Sequence, residues 1–90
     1  MLAVSYTIPH PPYTVPKAYW EMYKGADLPL PDYPANMDEK YSDPDRAFMR
    51  WCGLDRESNR DPEHLLAMRR GFCALSHYLD GKVGELLDVL

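Results

Sequence analysis

The segment Pro9-His10-Pro11-Pro12-Tyr13 places a histidine between two prolines. Proline biases the residue before it towards extended conformations, so the imidazole of His10 is predicted to be presented at low entropic cost. A protonated imidazole could neutralise part of the charge of an anionic ester, or protonate a departing alkoxide. On the residues alone, the alternative of a loop histidine satisfied by backbone partners stays open. Tyr13 could line a substrate cleft beside His10, although a tyrosine in a proline-rich loop is more often a packing residue.

The remaining titratable residues indicate weaker sites. His64 and His77 fall at the start and in the interior of a predicted helix, and are interpreted as solvated or packed. Cys52 and Cys73 lie far apart without metal-ligand spacing, which favours two free thiols in a reducing compartment. The acidic residues between positions 37 and 45 lack the spacing of a calcium-binding loop. No metal or cofactor site is therefore predicted within this chain.

Length and charge exclude several classes of protein. Ninety residues allow one small domain, and the net charge of -4 with a pI of about 5.2 argues against a nucleic-acid partner. No apolar run approaches the roughly 20 residues that span a bilayer, so no membrane partner is expected. The first residues lack the basic and apolar regions of a secretory signal, so a cytoplasmic location is expected.

The elements that would position His10 are predicted from proline placement and periodicity. Residues 2–7 read as a short strand because they are rich in β-branched and aromatic types. Residues 8–61 hold eight of the nine prolines and are predicted to be mostly loop. Two short helices are expected there, over residues 16–24 and over residues 44–52 with Asp43 as the cap. A long helix is predicted over residues 62–90, capped by Asp61.

The long helix carries a continuous apolar stripe, in which Phe72, Leu75 and Leu79 are predicted to form the core. The full stripe consists of Leu65, Met68, Phe72, Leu75, Leu79, Val83, Leu86 and Leu90. Three glycines, at 71, 81 and 84, are expected to pack closely against a neighbour. Arg69, Arg70 and Lys82 are assigned to the solvated face. A lone strand and an uncovered helix look like half of a strand–helix–strand unit, so an internal fragment is expected.

Two segments of the chain resemble the sulfatase branch of the alkaline-phosphatase superfamily. One is Ser5-Tyr6-Thr7-Ile8-Pro9-His10-Pro11-Pro12-Tyr13, followed by Tyr19-Trp20-Glu21-Met22-Tyr23 and Leu28-Pro29-Leu30-Pro31. The other is Arg69-Arg70-Gly71-Phe72-Cys73-Ala74-Leu75-Ser76-His77-Tyr78-Leu79-Asp80-Gly81-Lys82-Val83-Gly84-Glu85-Leu86-Leu87, with Phe72 where the family commonly has tyrosine. Within this branch, the sequence of the Ser5–Tyr13 motif is most similar to choline-sulfatase-like and phosphonate-monoester-hydrolase-like members. The resemblance implies an α/β sandwich, of which residues 1–90 would form a part.

The resemblance also implies a chemistry. Such enzymes cleave sulfate esters with a formylglycine, made from the first residue of a Cys/Ser-x-Pro-x-Arg motif, and a divalent cation, commonly calcium. Neither Cys52 nor Cys73 is followed by the required proline and arginine, and the family's metal ligands are expected outside this chain. His10 matches the family histidine that contacts the sulfate group or the leaving oxygen, and Tyr13 is a second candidate for substrate binding. The chain alone is predicted to be inactive.

The resemblance implies two partners, a small-molecule sulfate ester and the remainder of the sulfatase domain. Self-association through the strand edge and the apolar helix face is also expected.

Two other interpretations compete with a hydrolase. A small interaction protein could present the segment around Pro11 and Pro12 as a polyproline II ligand for an aromatic groove. That interpretation leaves the pattern of the long helix unexplained. A self-standing three-helix domain without catalysis would require residues 1–7 to be a tail and the proline-rich region to wrap the long helix.

Overall fold

The computed structural model describes residues 1, 3–32, 36–56 and 61–90. Within this part the chain forms four helices: α1 (Lys17–Tyr23), α2 (Met37–Lys40), α3 (Asp43–Cys52) and α4 (Pro62–Val89). The chain divides into two compact units, one comprising Met1–Leu28 with Ala67–Leu90 and the other comprising Pro29–Leu66.

The predicted N-terminal strand, and with it the α/β sandwich, is wrong for the structure described here. Residues 1 and 3–7 have no regular secondary structure, and no strand occurs anywhere in the described ranges. The side chains of Val4 and Tyr6 are 47% and 40% exposed. β-branched and aromatic residues favour a strand only where a partner strand and a packed surface receive them. Neither is present around these residues, so composition alone did not determine their conformation.

The predicted long helix over residues 62–90 is observed as α4, Pro62–Val89. Its first turn begins as expected at Asp61, whose Oδ2 accepts a hydrogen bond from the backbone N–H of His64 at 3.2 Å. The Asp61 carbonyl also accepts from the N–H of Leu65 at 2.9 Å. Pro62 occupies the first helical position, where its missing N–H leaves no donor unpaired.

The buried face of α4 is formed mainly by small residues rather than by the large apolar ones. Gly71 is buried, and Ala74 and Leu75 are 0% and 1% exposed. Phe72, predicted to be core, is 46% exposed, and Leu79 is half-buried. The predicted core was therefore right for Leu75 and wrong for Phe72. Leu75 and Phe72 lie on different sides of the helix. Periodicity alone does not say which side a neighbouring element covers.

The three glycines of α4 differ in their surroundings. A Cβ atom on Gly71 would lie 3.1 Å from the Cβ of Tyr13, and one on Gly81 would lie 3.5 Å from the hydroxyl of Tyr19. At Gly84 nothing lies within 4 Å. Close packing is thus confirmed for Gly71, is of ordinary van der Waals type for Gly81, and was wrongly predicted for Gly84.

In the other unit, α3 begins with a capping box. The Ser42 hydroxyl accepts a hydrogen bond from the Asp45 N–H, and the Asp45 carboxylate accepts from the Ser42 N–H at 3.1 Å. Ser42, not the predicted Asp43, is therefore the cap. The helix ends at Gly53, whose φ of 67° is the left-handed conformation that glycine adopts without steric cost.

None of the helices in the described ranges is long and apolar enough to cross a membrane.

Candidate functional site

His10 lies in a turn rather than in the extended segment that was predicted. Its backbone N–H donates to the carbonyl of Thr7 at 3.2 Å, and the N–H of Thr14 donates to the carbonyl of Pro12 at 2.8 Å. The Ile8–Pro9 and Pro11–Pro12 peptide bonds are cis. The His10 side chain is exposed, and its Nδ1 lies 2.7 Å from the carbonyl oxygen of Pro11. The imidazole is thus held by its own loop and remains accessible to solvent.

Tyr13 attaches this loop to α4. The Tyr13 side chain is half-buried, and its ring lies edge-to-face with the Phe72 ring at a centroid distance of 6.1 Å. Its Cβ also lies close to Gly71, where any larger residue would be crowded. Edge-to-face aromatic pairs contribute about 0.5–1.5 kcal/mol beyond the area that they bury. In this structure Tyr13 is a packing residue that positions the segment bearing His10.

An aromatic cluster connects α1 to α4. The Tyr19 ring lies 5.3 Å from both the His77 and the Tyr78 rings, with interplanar angles of 89° and 73°. The Tyr23 ring lies 6.0 Å from His77, and its hydroxyl is 3.3 Å from His77 Nδ1. His77 contacts both tyrosines and is exposed, so it is at once packed and solvated, the two interpretations that the sequence left for it. The spacing of Tyr19 and Tyr23 on α1 places both rings on the same helix face.

Arg70 makes a contact that the sequence did not indicate. Its Nε and Nη2 both donate to the carbonyl oxygen of Ala26, at 3.0 and 2.8 Å, and the contact is partly buried. The prediction that Arg70 decorates a solvated face was wrong, whereas its neighbour Arg69 is exposed. A charged donor satisfies a carbonyl more strongly than a neutral one, so Arg70 fixes the chain just beyond α1 to α4.

Lys82 forms an ion pair on the surface of α4. Its ammonium nitrogen lies 2.8 Å from both carboxylate oxygens of Glu85 and 5.5 Å from the centre of the Tyr78 ring. The hydrogen bonds to Glu85 raise the pKa of the Lys82 amine above its ordinary value of 10.5. Lys82 is thus partnered, and an exposed pair of this kind contributes little to stability.

No site for a metal ion is evident in the parts of the chain that the structure describes. No three histidine, cysteine, aspartate or glutamate residues come together there as ligands. Cys52 is exposed and Cys73 is half-buried, and both are free thiols. His64 is exposed at the start of α4.

The chain contains one match to the Cys/Ser-x-Pro-x-Arg pattern, at a serine rather than at Cys52 or Cys73. Ser42-Asp43-Pro44-Asp45-Arg46 has the spacing Ser-x-Pro-x-Arg. In the structure the hydroxyl of Ser42 is engaged with Asp45 as the cap of α3. This helix-starting role accounts for the serine and for the proline in the first turn. The motif also follows the His10 segment, whereas the family resemblance places it before that segment.

Comparison with known proteins gives a partial relationship. No protein-family model matches the chain, and no solved structure is significantly similar to it. The chain is 32% identical over 89 residues to a choline-sulfatase of Rhizobium meliloti (strain 1021). That similarity covers 99% of this chain but only 17% of the length of the relative. It supports a distant, sulfatase-like relationship for a segment about one-sixth as long as the enzyme that it resembles.

Proposed function

We propose that this chain forms part of a sulfatase-type hydrolase that cleaves sulfate esters. The observation that carries the proposal is the 32% identity to a choline-sulfatase, which extends over 99% of the chain. Similarity of this extent supports relationship along the whole segment rather than a shared short motif. The activity itself would belong to the complete enzyme, because the chain spans 17% of the relative's length.

Within such an enzyme, His10 would face the substrate. Its side chain is exposed, and its loop is attached to α4 through the contacts of Tyr13 with Gly71 and Phe72. A positioned imidazole can stabilise a sulfate oxygen or give a proton to the leaving oxygen. Tyr13 would then act chiefly by holding the loop, with its half-buried ring available at the edge of the substrate site.

The outer apolar face of α4, which carries the exposed Phe72 and Val83 and the half-buried Leu79 and Leu86, would meet the remainder of the enzyme, together with Leu90 just beyond the helix. Phe72 and Val83 are 46% and 39% exposed, and Leu90 is 81% exposed. A row of exposed and half-buried apolar side chains on one helix face is typical of a surface that another part of a protein covers. The divalent cation, for which calcium is the first candidate, and the formylglycine would be held by that remainder. The described residues form no cluster of metal ligands, and the hydroxyl of Ser42, in the one Ser-x-Pro-x-Arg sequence, is engaged as the cap of α3.

The substrate would be a small sulfate ester, and choline sulfate is the first one to test because of the relative's name. Phosphonate and phosphate monoesters are the next candidates, since they are also tetrahedral anionic esters.

The alternative of a proline-rich interaction segment is not favoured. Polyproline II has no internal hydrogen bonds. The segment around His10 instead contains hydrogen bonds from His10 to Thr7 and from Thr14 to Pro12.

The DNA on both sides of the reading frame provides the test. A run encoding Cys/Ser-x-Pro-x-Arg upstream, and one encoding Ser-Asp-His/Asn-Gly downstream, would support a sulfatase of which this chain is a segment. If neither run occurs within a domain's length, the proposal fails and His10 is an ordinary loop histidine.

A further inference from the structure

The contact between His10 and the following residue determines which ring nitrogen carries hydrogen. The carbonyl oxygen of Pro11, 2.7 Å from Nδ1, can only accept a hydrogen bond. Nδ1 must therefore be the donor. A neutral imidazole has one N–H, so Nε2 is then the basic nitrogen. We infer that the Pro11 carbonyl holds His10 in its Nδ1–H tautomer and leaves Nε2 as the nitrogen available for proton transfer.

The backbone around the ring supports this assignment. The turn closed by the His10 N–H and the Thr7 carbonyl fixes the chain before the ring, at 3.2 Å. Neither Pro11 nor Pro12 has a backbone N–H, so these two residues offer no competing donor for the Pro11 carbonyl. Beyond them, the N–H of Thr14 is already directed to the carbonyl of Pro12 at 2.8 Å. Among these neighbouring groups, the imidazole is the donor that contacts the Pro11 carbonyl.

The consequence for chemistry rests on the proposed function. When His10 is protonated, Nδ1–H stays on the Pro11 carbonyl and the second proton resides on Nε2. As the ester bond breaks, the leaving oxygen takes its electron pair and the Nε2 proton, with the nucleophile supplied by the remainder of the enzyme. The ring is left as the neutral Nδ1–H tautomer, and Nε2 takes up a proton from water before the next turnover, so neither a ring rotation nor a change of tautomer is needed. The Pro11 carbonyl is a positioning group in this scheme.

The tautomer can be read directly in the chain itself. Two-bond proton–nitrogen correlation spectra of the ¹⁵N-labelled chain, recorded at about pH 9 where histidines are neutral, distinguish Nδ1–H from Nε2–H for each ring. A His10→Gln variant assigns the signals, circular dichroism checks that α4 is formed, and His64, exposed at the start of α4, serves as an internal control.

We expect His10 to be protonated on Nδ1 in the folded chain, while His64 shows the same tautomer mixture as in the urea-unfolded chain. A folded sample in which His10 is protonated on Nε2, or shows the unfolded mixture, would overturn the inference. The measurement needs no substrate. It can therefore fail while the proposed hydrolase function stands, and it can succeed even if the flanking DNA shows no sulfatase motifs.

Discussion

Gly71 of α4 and Tyr13 of the histidine loop approach so closely that a methyl group on Gly71 would lie 3.1 Å from the Tyr13 Cβ. This contact is made by an atom next to the backbone rather than by the end of a long side chain. The loop bearing His10 therefore lies against the surface of α4 where the helix has no side chain. Removing that space should therefore move the loop.

Gly71→Ala should raise the free energy of unfolding less than Gly84→Ala does, or should lower it. Alanine stabilises an exposed helix interior by about 1 kcal/mol relative to glycine. At Gly84, where nothing lies within 4 Å, we expect most of that gain in the free energy of unfolding. At Gly71 the crowding against Tyr13 should cancel or reverse it. Urea unfolding followed by circular dichroism measures both variants, and an equal gain at the two positions would contradict the contact.

Replacing Arg70 should loosen the chain after α1. In Arg70→Lys the charge is kept, but the two donors that reach the Ala26 carbonyl cannot both be reproduced. We expect a loss of up to about 1.5–3 kcal/mol in the free energy of unfolding, the range for hydrogen bonds to charged groups. Arg69→Lys, at an exposed neighbour, is the matched control and should change little. Similar losses for both variants would show that the two hydrogen bonds from Arg70 to the Ala26 carbonyl are not formed.

The start of α3 should weaken in acid. Hydrogen bonds from the side chain and backbone of Ser42 lower the pKa of Asp45 below its ordinary value of 3.8. Because the folded-state pKa is the lower one, this stabilisation is present above pH 3.8 and is lost as the pH falls through the folded-state value. Protection of α3 amides from hydrogen exchange should therefore fall in that range.

Two variants separate the roles of Ser42 and Asp45. Asp45→Asn should abolish the acid-dependent component of protection, and Ser42→Ala should cost about 1 kcal/mol at neutral pH through loss of the cap. An unchanged acid profile in Asp45→Asn would count against the capping box.

His10 should matter for turnover only in a complete enzyme. We expect a hybrid, in which this chain replaces the matching segment of the Rhizobium meliloti relative, to hydrolyse choline sulfate. His10→Gln in that hybrid should lower kcat by about 10²–10⁴-fold, the usual contribution of a general acid. His64→Gln is the matched control and should retain activity. Full activity of the His10 variant would remove this residue from the mechanism.

The isolated chain should be inactive and should self-associate. We expect no aryl sulfate hydrolysis at any calcium concentration, because the chain spans only 17% of the relative. Apparent mass in light scattering should rise with concentration, because the outer apolar face of α4 is exposed. Val83→Lys should reduce that rise, and Asp88→Asn, at an exposed position, is the control. A monodisperse wild-type monomer, or turnover above buffer, would contradict these expectations.

Local chemistry allowed parts of the fold to be predicted from the sequence. Asp61-Pro62 and the apolar period specified α4, and Pro16 preceded a helix that runs from Lys17 to Tyr23. The predictions failed where the conformation of a segment depends on a partner that is distant in the sequence. Residues 2–7 have strand-forming composition, yet a strand also needs a neighbour. Position 2 itself lies outside the described residues.

For the candidate site, His10 and Tyr13 stay predictions from the sequence, and the contacts that hold them were not predicted. The two hydrogen bonds from Arg70 to the Ala26 carbonyl join residues that are distant along the chain, so no local sequence pattern indicates them. The burial of Ala74 in place of Phe72 depends on which face of α4 its neighbours cover, and the apolar period does not specify that face. The choice of Ser42 over Asp43 as the cap could have been predicted, because the serine and Asp45 have capping-box spacing.

The composition of α1 has a consequence for the order of assembly. This seven-residue helix has no side-chain cap and no buried residue, so it is far too short to persist alone. Its rings find their partners, His77 and Tyr78, only on α4. During synthesis the histidine loop leaves the ribosome well before α4, yet it can take its final place only after α4 has formed. Within these 90 residues, the loop is therefore synthesised before the helix that holds it in place.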